Sequence, residues 1–354
     1  MTTTSRTRTR SEYRSLAALT AMSWPLSSLV RIRDGADIER FLTIMQHNHR
    51  AAPFISDLYV IPGINIPLPN RLLRSLFSSL SSVTDLRLFL PARTSASLFS
   101  GVHFSQLVLL ETNLPHSRLI DFISRHSTLK ILALGACGRS KQCPLGVLDL
   151  GGVTDLQCPV DCVPKLVHVH LTRLSVYIDS FSTQVSLLIP PFRLYSVTLL
   201  TMEILHDDYD ILRTVITVAP LVRKLKLVEK VNSSTRWRSR REWNNHRQWA
   251  QHLRMLTALE ELVIETPASL VKPVGDSKAE ERLIKRWVTG KSSSKTGIRH
   301  VHPALYRVAF RYGSKDASEV VSDWYRSQDA SYWYRQAHLS VVGSSSEDMS
   351  FVAL

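Results

Sequence analysis

Residues 68–90 read LPNRLLRSLFSSLSSVTDLRLFL, and the fold turns on whether this stretch is wholly helical or a helix that gives way to a strand. The helical pattern of LPNRLLRSLFSSL stops near Leu80, and Pro69 suits a first helical turn, where a missing N–H costs nothing. Beyond it, Val83, Leu86 and Leu88 have the spacing of a short strand whose alternate residues enter a core, and Pro91 follows closely. The stretch reads as helix then strand, so the next question is whether the pair recurs.

The pattern L-x-x-L-x-L, with apolar substitutes, recurs along most of the chain. It is read at Val83, Leu86, Leu88; Phe104, Leu107, Leu109; Leu129, Leu132, Leu134; Leu145, Leu148, Leu150; and Leu166, Val169, Leu171. It continues at Leu194, Val197, Leu199; Val222, Leu225, Leu227; Leu259, Leu262, Ile264; and Leu305, Val308, Phe310, with weaker copies around Leu29 and Leu58. Most successive middle residues lie 21 to 29 positions apart. That interval gives the chain room to lay down a strand and return before the next one. Return helices are legible in several intervals. Ile38, Phe41, Leu42 and Met45 form one helical stripe with Asp37 as the expected N-cap. Leu119, Phe122 and Ile123 precede the strand at Leu129. Asp207 or Asp208 is expected to start a helix through Ile211, Leu212, Val215 and Ile216, which Pro220 ends.

The best copies, STLKILALGAC, RLYSVTLL, LVRKLKLVEK and ALEELVIE, together with the Trp-rich helix REWNNHRQWAQHL, resemble a known family. They are similar to the divergent leucine-rich-repeat proteins that fungi often carry behind an F-box. The first half of residues 68–90 also resembles the start of an F-box, but the strand that follows it favours the repeat, and no recognisable F-box precedes the repeats. The resemblance covers roughly residues 16–312. It implies an α/β leucine-rich-repeat solenoid, a curved parallel sheet with helices on its convex side. It also implies a non-enzymatic role, with the repeats recruiting substrate as the adaptor of an F-box-type ubiquitin ligase.

Length and composition agree with a protein that buries its own core: 354 residues, 44% hydrophobic and 21% charged. No apolar run approaches the roughly 18 residues of a membrane span, and the leader MTTTSRTRTRSEYR lacks the apolar segment of a secretion signal. A disordered basic leader (1–15), a repeat solenoid (16–312) and a C-terminal cap and tail (313–354) are expected, in a cytoplasmic or nuclear protein. The cap is read as a helix through Val320, Val321 and Trp324, followed by a short alternating run near Trp333.

Net charge is +14, concentrated in residues 1–14, 223–256 and 282–300. The segment RWRSRREWNNHRQWAQHL interleaves Arg with Trp, as nucleic-acid-binding segments do, which makes residues 236–254 the alternative binding element. Helical spacing instead turns Trp243, Trp249, Ala250, Leu253 and Leu256 toward the core and leaves Arg240, Arg241 and Arg247 in solvent.

The four cysteines, Cys137, Cys143, Cys158 and Cys162, fall close together, as thiolate ligands of zinc would. Their C-x5-C and C-x3-C spacings are looser than a zinc knuckle, so buried free thiols are expected and neither metal nor cofactor is assigned. Gly290-Lys291-Ser292 ends like a phosphate-binding loop, but Lys285 stands where the required glycine would be and a helix precedes it, which makes it a surface loop. His168 and His170 are read as neighbours on one face of a strand, DDYD at 207–210 as a helix start, and Asn232-Ser233-Ser234 as a sequon that matters only on a secreted chain. No nucleophile elbow or recognisable catalytic trio is present.

The residues between the core leucines should form one concave floor, the expected partner-binding surface. Its named members are Tyr59, Asp85, Arg87, Phe89, Gln106, His168, His170, Lys224, Lys226, Glu261, Glu265, Arg307 and Arg311, with Asp57, Asp149 and others between them. Its bases and acids balance. A charge-balanced floor with Tyr and Arg anchors suits a protein or peptide partner, ubiquitin-ligase components among them, better than nucleic acid.

Overall fold

The computed structural model describes residues 28–336 apart from 64–65, 67, 92, 139–141, 180–192, 231–240, 268–269, 272–275, 290–300, 313–319 and 328–331. The Gly290-Lys291-Ser292 loop, the sequon and the leader lie outside the described residues. Two compact units divide the chain, Met1–Thr112 and Asn113–Leu354.

The first unit contains β1 (Leu29–Ile32), α1 (Gly35–His47), β2 (Asp57–Val60), α2 (Asn70–Ser79), β3 (Asp85–Leu88) and β4 (Leu109–Thr112). Its strands are parallel and lie side by side in chain order. In-register pairing stacks Val30, Leu58, Leu86 and Leu110 into one row and Ile32, Val60, Leu88 and Thr112 into the next. Leu58, Leu86 and Leu110 are fully buried, and burying one such side chain contributes about 1.5–3 kcal/mol. Residues 70–79 are helical, with Pro69 at the N-cap, and Leu73, Leu76 and Phe77 close over the core from above the strands. Phe77 stacks on Phe99 at 6.3 Å and meets the edge of Phe104 at 6.1 Å. Helix α1 starts earlier than expected because Asp34 caps it, accepting from the Asp37 N–H at 2.8 Å. Asp37 sits in the first turn and accepts from the Arg33 N–H at 2.9 Å, so the two carboxylates satisfy one donor inside the first turn and one in the chain leading into it.

The second unit runs α3 (Ile120–Ser124), β5 (Ile131–Leu134), β6 (Asp155–Pro159), α4 (Val163–Leu166), β7 (Arg173–Tyr177), β8 (Leu199–Ile204), α5 (Ile211–Val218) and β9 (Lys224–Glu229). It continues with α6 (His246–Met255), β10 (Glu261–Thr266), α7 (Ser277–Val288), β11 (Arg307–Tyr312), β12 (Val320–Arg326) and β13 (Trp333–Gln336). Strands β5 to β11 are parallel neighbours in chain order. One row holds Leu132, Leu156, Leu174, Leu200, Leu225, Leu262 and Val308. Above the sheet a chain of aromatic rings joins α6 to α7 and β11: Trp249 to Trp287 at 5.6 Å and Trp287 to Phe310 at 5.8 Å.

In both units a carbonyl just before most of the parallel strands accepts two successive N–H groups from the next repeat. Ser56 O takes Thr84 and Asp85, Thr154 O takes Thr172 and Arg173, and Arg223 O takes Glu260 and Glu261. A tight turn stands immediately before the strands, as in Leu107 N–H to Phe104 O, Val153 N–H to Leu150 O, Leu171 N–H to His168 O and Val197 N–H to Leu194 O. These turns correct the reading of four repeats. The triads at Phe104, Leu145, Leu166 and Leu194 were placed too early, since their middle residues 107, 148, 169 and 197 give way to Leu110, Leu156, Leu174 and Leu200 in β4, β6, β7 and β8. Val147 and Val169, expected as strand residues, are 80% and 70% exposed. A leucine such as Leu171 can close one L-x-x-L-x-L triad or open the next. Pairing with the preceding strand chooses between them.

Three further expectations are corrected. Residues 320–326 form a strand, not a helix: β12 pairs antiparallel with β11, and β13 with β12. The unpaired side of β11 offers hydrogen bonds that a Val- and aromatic-rich segment can take. Arg241 is not in solvent but 4% exposed, held by Glu229. Helix α5 is preceded by Asp210 rather than Asp207 or Asp208, without a side-chain cap bond.

Candidate recognition face

Alternation along each strand sends one set of side chains into the core and leaves the other set on an open face. In the first unit this face presents Arg31, Asp57, Tyr59, Asp85, Arg87 and Glu111. The Arg87 guanidinium lies 4.7 Å over the Tyr59 ring and 3.3 Å from Glu111. Desolvation raises the Glu111 carboxyl, against the pull of Arg87. Asp85 is raised by desolvation and then by Asp57, its partner across the strands. Phe89, one residue beyond β3, continues the alternation and is half-buried.

In the second unit, Lys224, Lys226, Glu261, Glu265, Arg307 and Arg311 lie on the strand face opposite the leucine row, Glu261 buried and the other five half-buried. Register places lysine beside glutamate beside arginine. Lys224 Nζ is 2.7 Å from Glu261, Lys226 is 3.1 Å from Glu265, and Arg307 bridges Glu261 and Asp323 at 2.8 Å each. Tyr306 donates to Glu261 at 2.9 Å. Desolvation alone would raise Glu261, but bonds from Lys224, Arg307 and Tyr306 hold it below the usual carboxylate range. Arg307 lies 5.8 Å from the Tyr325 ring, which stacks on Tyr334 at 6.1 Å. Tyr306, Tyr332 and Tyr334 are exposed.

Gln106, His168 and His170 do not join the face. Gln106 lies in the turn before β4, and the histidines lie in the segment before β7. The ring centroids of His168 and His170 are 6.1 Å apart, and a His170 N–H to His168 Nδ1 bond of 3.3 Å uses the group that a paired ligand would need. Asp149, also expected on the floor, instead accepts from the Gly151 N–H in a turn. Register puts Asp155, Gln157, Arg173, Ser175, Thr201 and Glu203 on the face in their place. Sequence reading missed Asp323 and Tyr325 because their segment was assigned to a helix, and Tyr334 because the alternating run near Trp333 was assigned to a cap and not to this face.

Comparison of the sequence with family models and with curated proteins finds no match. The described residues contain no helix long and apolar enough to cross a membrane.

The cysteines are all free. Cys158 is wholly buried in β6, where burial pushes its thiol well up. Cys137, Cys143 and Cys162 converge instead on a residue that the sequence did not single out, His116, with one donor atom from each of the four lying within 4.8 Å of every other. Cys143 is pulled down to about 4, first by a hydrogen bond from Cys162 and further by His116, while Cys162 is pushed up by the same shared bond.

Proposed function

We propose that the repeats form a leucine-rich-repeat solenoid and that the open strand face of the Asn113–Leu354 unit recognises a protein or peptide partner without catalysing a reaction. The observation that carries this reading is the cross-strand ladder Lys224–Glu261–Arg307–Asp323 beside exposed Tyr306, Tyr332 and Tyr334. Tyrosine and arginine supply a large share of binding energy at protein interfaces. A groove for nucleic acid needs uncompensated positive charge where phosphates lie, and here the bases of the ladder are answered by acids. The Trp243 and Trp249 rings, which would have to stack on bases, are buried.

A ubiquitin-ligase adaptor is the specific form of this role that the family resemblance suggests, and co-purification of ligase scaffold subunits tests it. The face itself is tested by the double variant Lys224→Glu/Lys226→Glu and by Tyr334→Ala, with Arg247→Glu on the exposed side of α6 as control. Partner capture is expected to fall in the first two and persist in the control. Undiminished capture by the double variant would remove this face from the reading.

A further inference from the structure

We propose that His116, Cys137, Cys143 and Cys162 are the four ligands of a structural zinc ion. The inference is independent of the recognition face. Four segments deliver the donors: the 3₁₀ turn His116–Arg118, the loop after β5, the residue before Pro144, and the end of the 3₁₀ turn Val160–Cys162. Three thiolates and an imidazole are the donor set zinc takes in closed tetrahedral sites. With Zn–S bonds of about 2.3 Å, a tetrahedron has edges of about 3.8 Å. The widest separation in the cluster, 4.8 Å, therefore needs to close by only about 1 Å.

His116 carries the strongest evidence that the cluster is built for a ligand. It is 0% exposed, and its Nε2 lies 3.0 Å from Gly135 O. A carbonyl only accepts, so Nε2 bears the hydrogen and Nδ1 keeps its lone pair. That lone pair points at Cys143 Sγ, 3.2 Å away, and at Cys162 Sγ, 3.6 Å away. An imidazole fixed through one nitrogen by a carbonyl, with the other nitrogen facing sulfur, is the arrangement of a metal-ligating histidine. His302, also buried, differs: Nδ1 accepts from the Leu305 N–H while Nε2 faces two carbonyls, so backbone occupies both nitrogens.

The backbone around the donors is equally specific. Gly135 approaches Asn113 so closely that an added Cβ would lie 2.5 Å from its Cα, and Gly138 turns the chain directly after Cys137 at a φ of 92°. Cys137 is the partly exposed member, which leaves a way in for the ion, while Cys143 and Cys162 are buried. Four protein ligands leave no open position for substrate, so the ion's role is to tie together successive inter-strand connections. Cys158, near in sequence but directed into the core row beside Val176, takes no part.

The test is to purify the full chain under reducing conditions, measure bound metal, and titrate the stripped protein with Zn²⁺ and with Co²⁺. One ion per chain is expected, with the visible absorption of tetrahedral cobalt–thiolate. Zn²⁺ should protect three of the four cysteines from alkylation, leaving Cys158 to report only unfolding. Cys143→Ser and Cys162→Ser should lose stoichiometric binding, whereas Cys158→Ala should keep it. Should those serine variants fail to fold, metal-dependent protection of Cys137, Cys143 and Cys162 in the unsubstituted chain decides the matter. Absence of stoichiometric binding, a disulfide among these three residues, or loss of the ion in a folded Cys158→Ala chain would overturn the assignment.

Discussion

Glu242 lies buried just before α6, with His252 Nδ1 3.7 Å from its Oε1 and with Asp208 and Asp210 near enough to add repulsion. Burial pushes its carboxyl up to about 9, well above the usual range. In the unfolded chain the same group titrates near ~4.3. Between those values the folded state holds a proton that the unfolded state has released, so stability falls as pH rises across that window. Glu242→Gln keeps the shape and removes the titration. Thermal melts from pH 5 to 9 should show the parent losing stability with rising pH and the variant much flatter, more stable by about 1–3 kcal/mol at the alkaline end. Parallel pH profiles for the two proteins would mean that Glu242 does not retain its proton on folding. The residue was not legible in the sequence, where it is one acid in a basic stretch. Its surroundings come from α5 and α6 folding against each other.

At the scale of elements, the turn before α6 is held to β9 and β10 by a buried ion pair. Arg241 Nη2 and Nε reach Glu229 at 2.8 Å, and Thr266 Oγ1 donates to the same carboxylate at 2.6 Å. Removing one member leaves an uncompensated charge in the core, so Arg241→Ala should cost about 3–5 kcal/mol in a urea melt. Replacing both residues, Glu229→Leu with Arg241→Met, should recover most of that loss. A double variant as unstable as the single one would show that the contribution is packing by the arginine stem. Sequence reading placed Arg241 in solvent because helical phase sets which side a residue takes, not whether an acid from another strand waits there. Strand β12 was hidden for a related reason, whereas the run near Trp333 that forms β13 was read as alternating. Val320, Val321 and Trp324 fit a helical stripe as well as a strand. Pairing with β11 decides for the strand, and Trp324 then donates to buried Glu280 at 2.9 Å.

For the molecule as a whole, the distribution of charge governs how binding should respond to salt. The excess of positive charge in the sequence is carried largely by residues 1–14, 223–256 and 282–300, and the two of these bases that join the ladder region, Lys224 and Lys226, are each paired with a glutamate. Binding through that face should therefore weaken less than about tenfold between 50 and 200 mM salt, against the roughly 10³–10⁵-fold loss when many phosphate contacts are made. Titration of a captured partner at the two salt concentrations separates the cases, and a steep salt slope would favour nucleic acid.

The leucine spacing determined by itself that strands and returns alternate, and it located β2, β3, β5 and β9 to β11, with β1 read one residue out of frame because Val30, not Leu29, pairs with Leu58. Apolar periodicity is a local property that each repeat carries in full. Only the tertiary structure decided the frame of β4, β6, β7 and β8, where overlapping triads fit equally well until a neighbouring strand supplies the hydrogen bonds. It likewise decided which acid meets which base across the strands, and that His116 rather than Cys158 completes the cysteine cluster. Those pairings join residues tens of positions apart, and the distance between them is set by how successive repeats stack, which no short window of sequence contains.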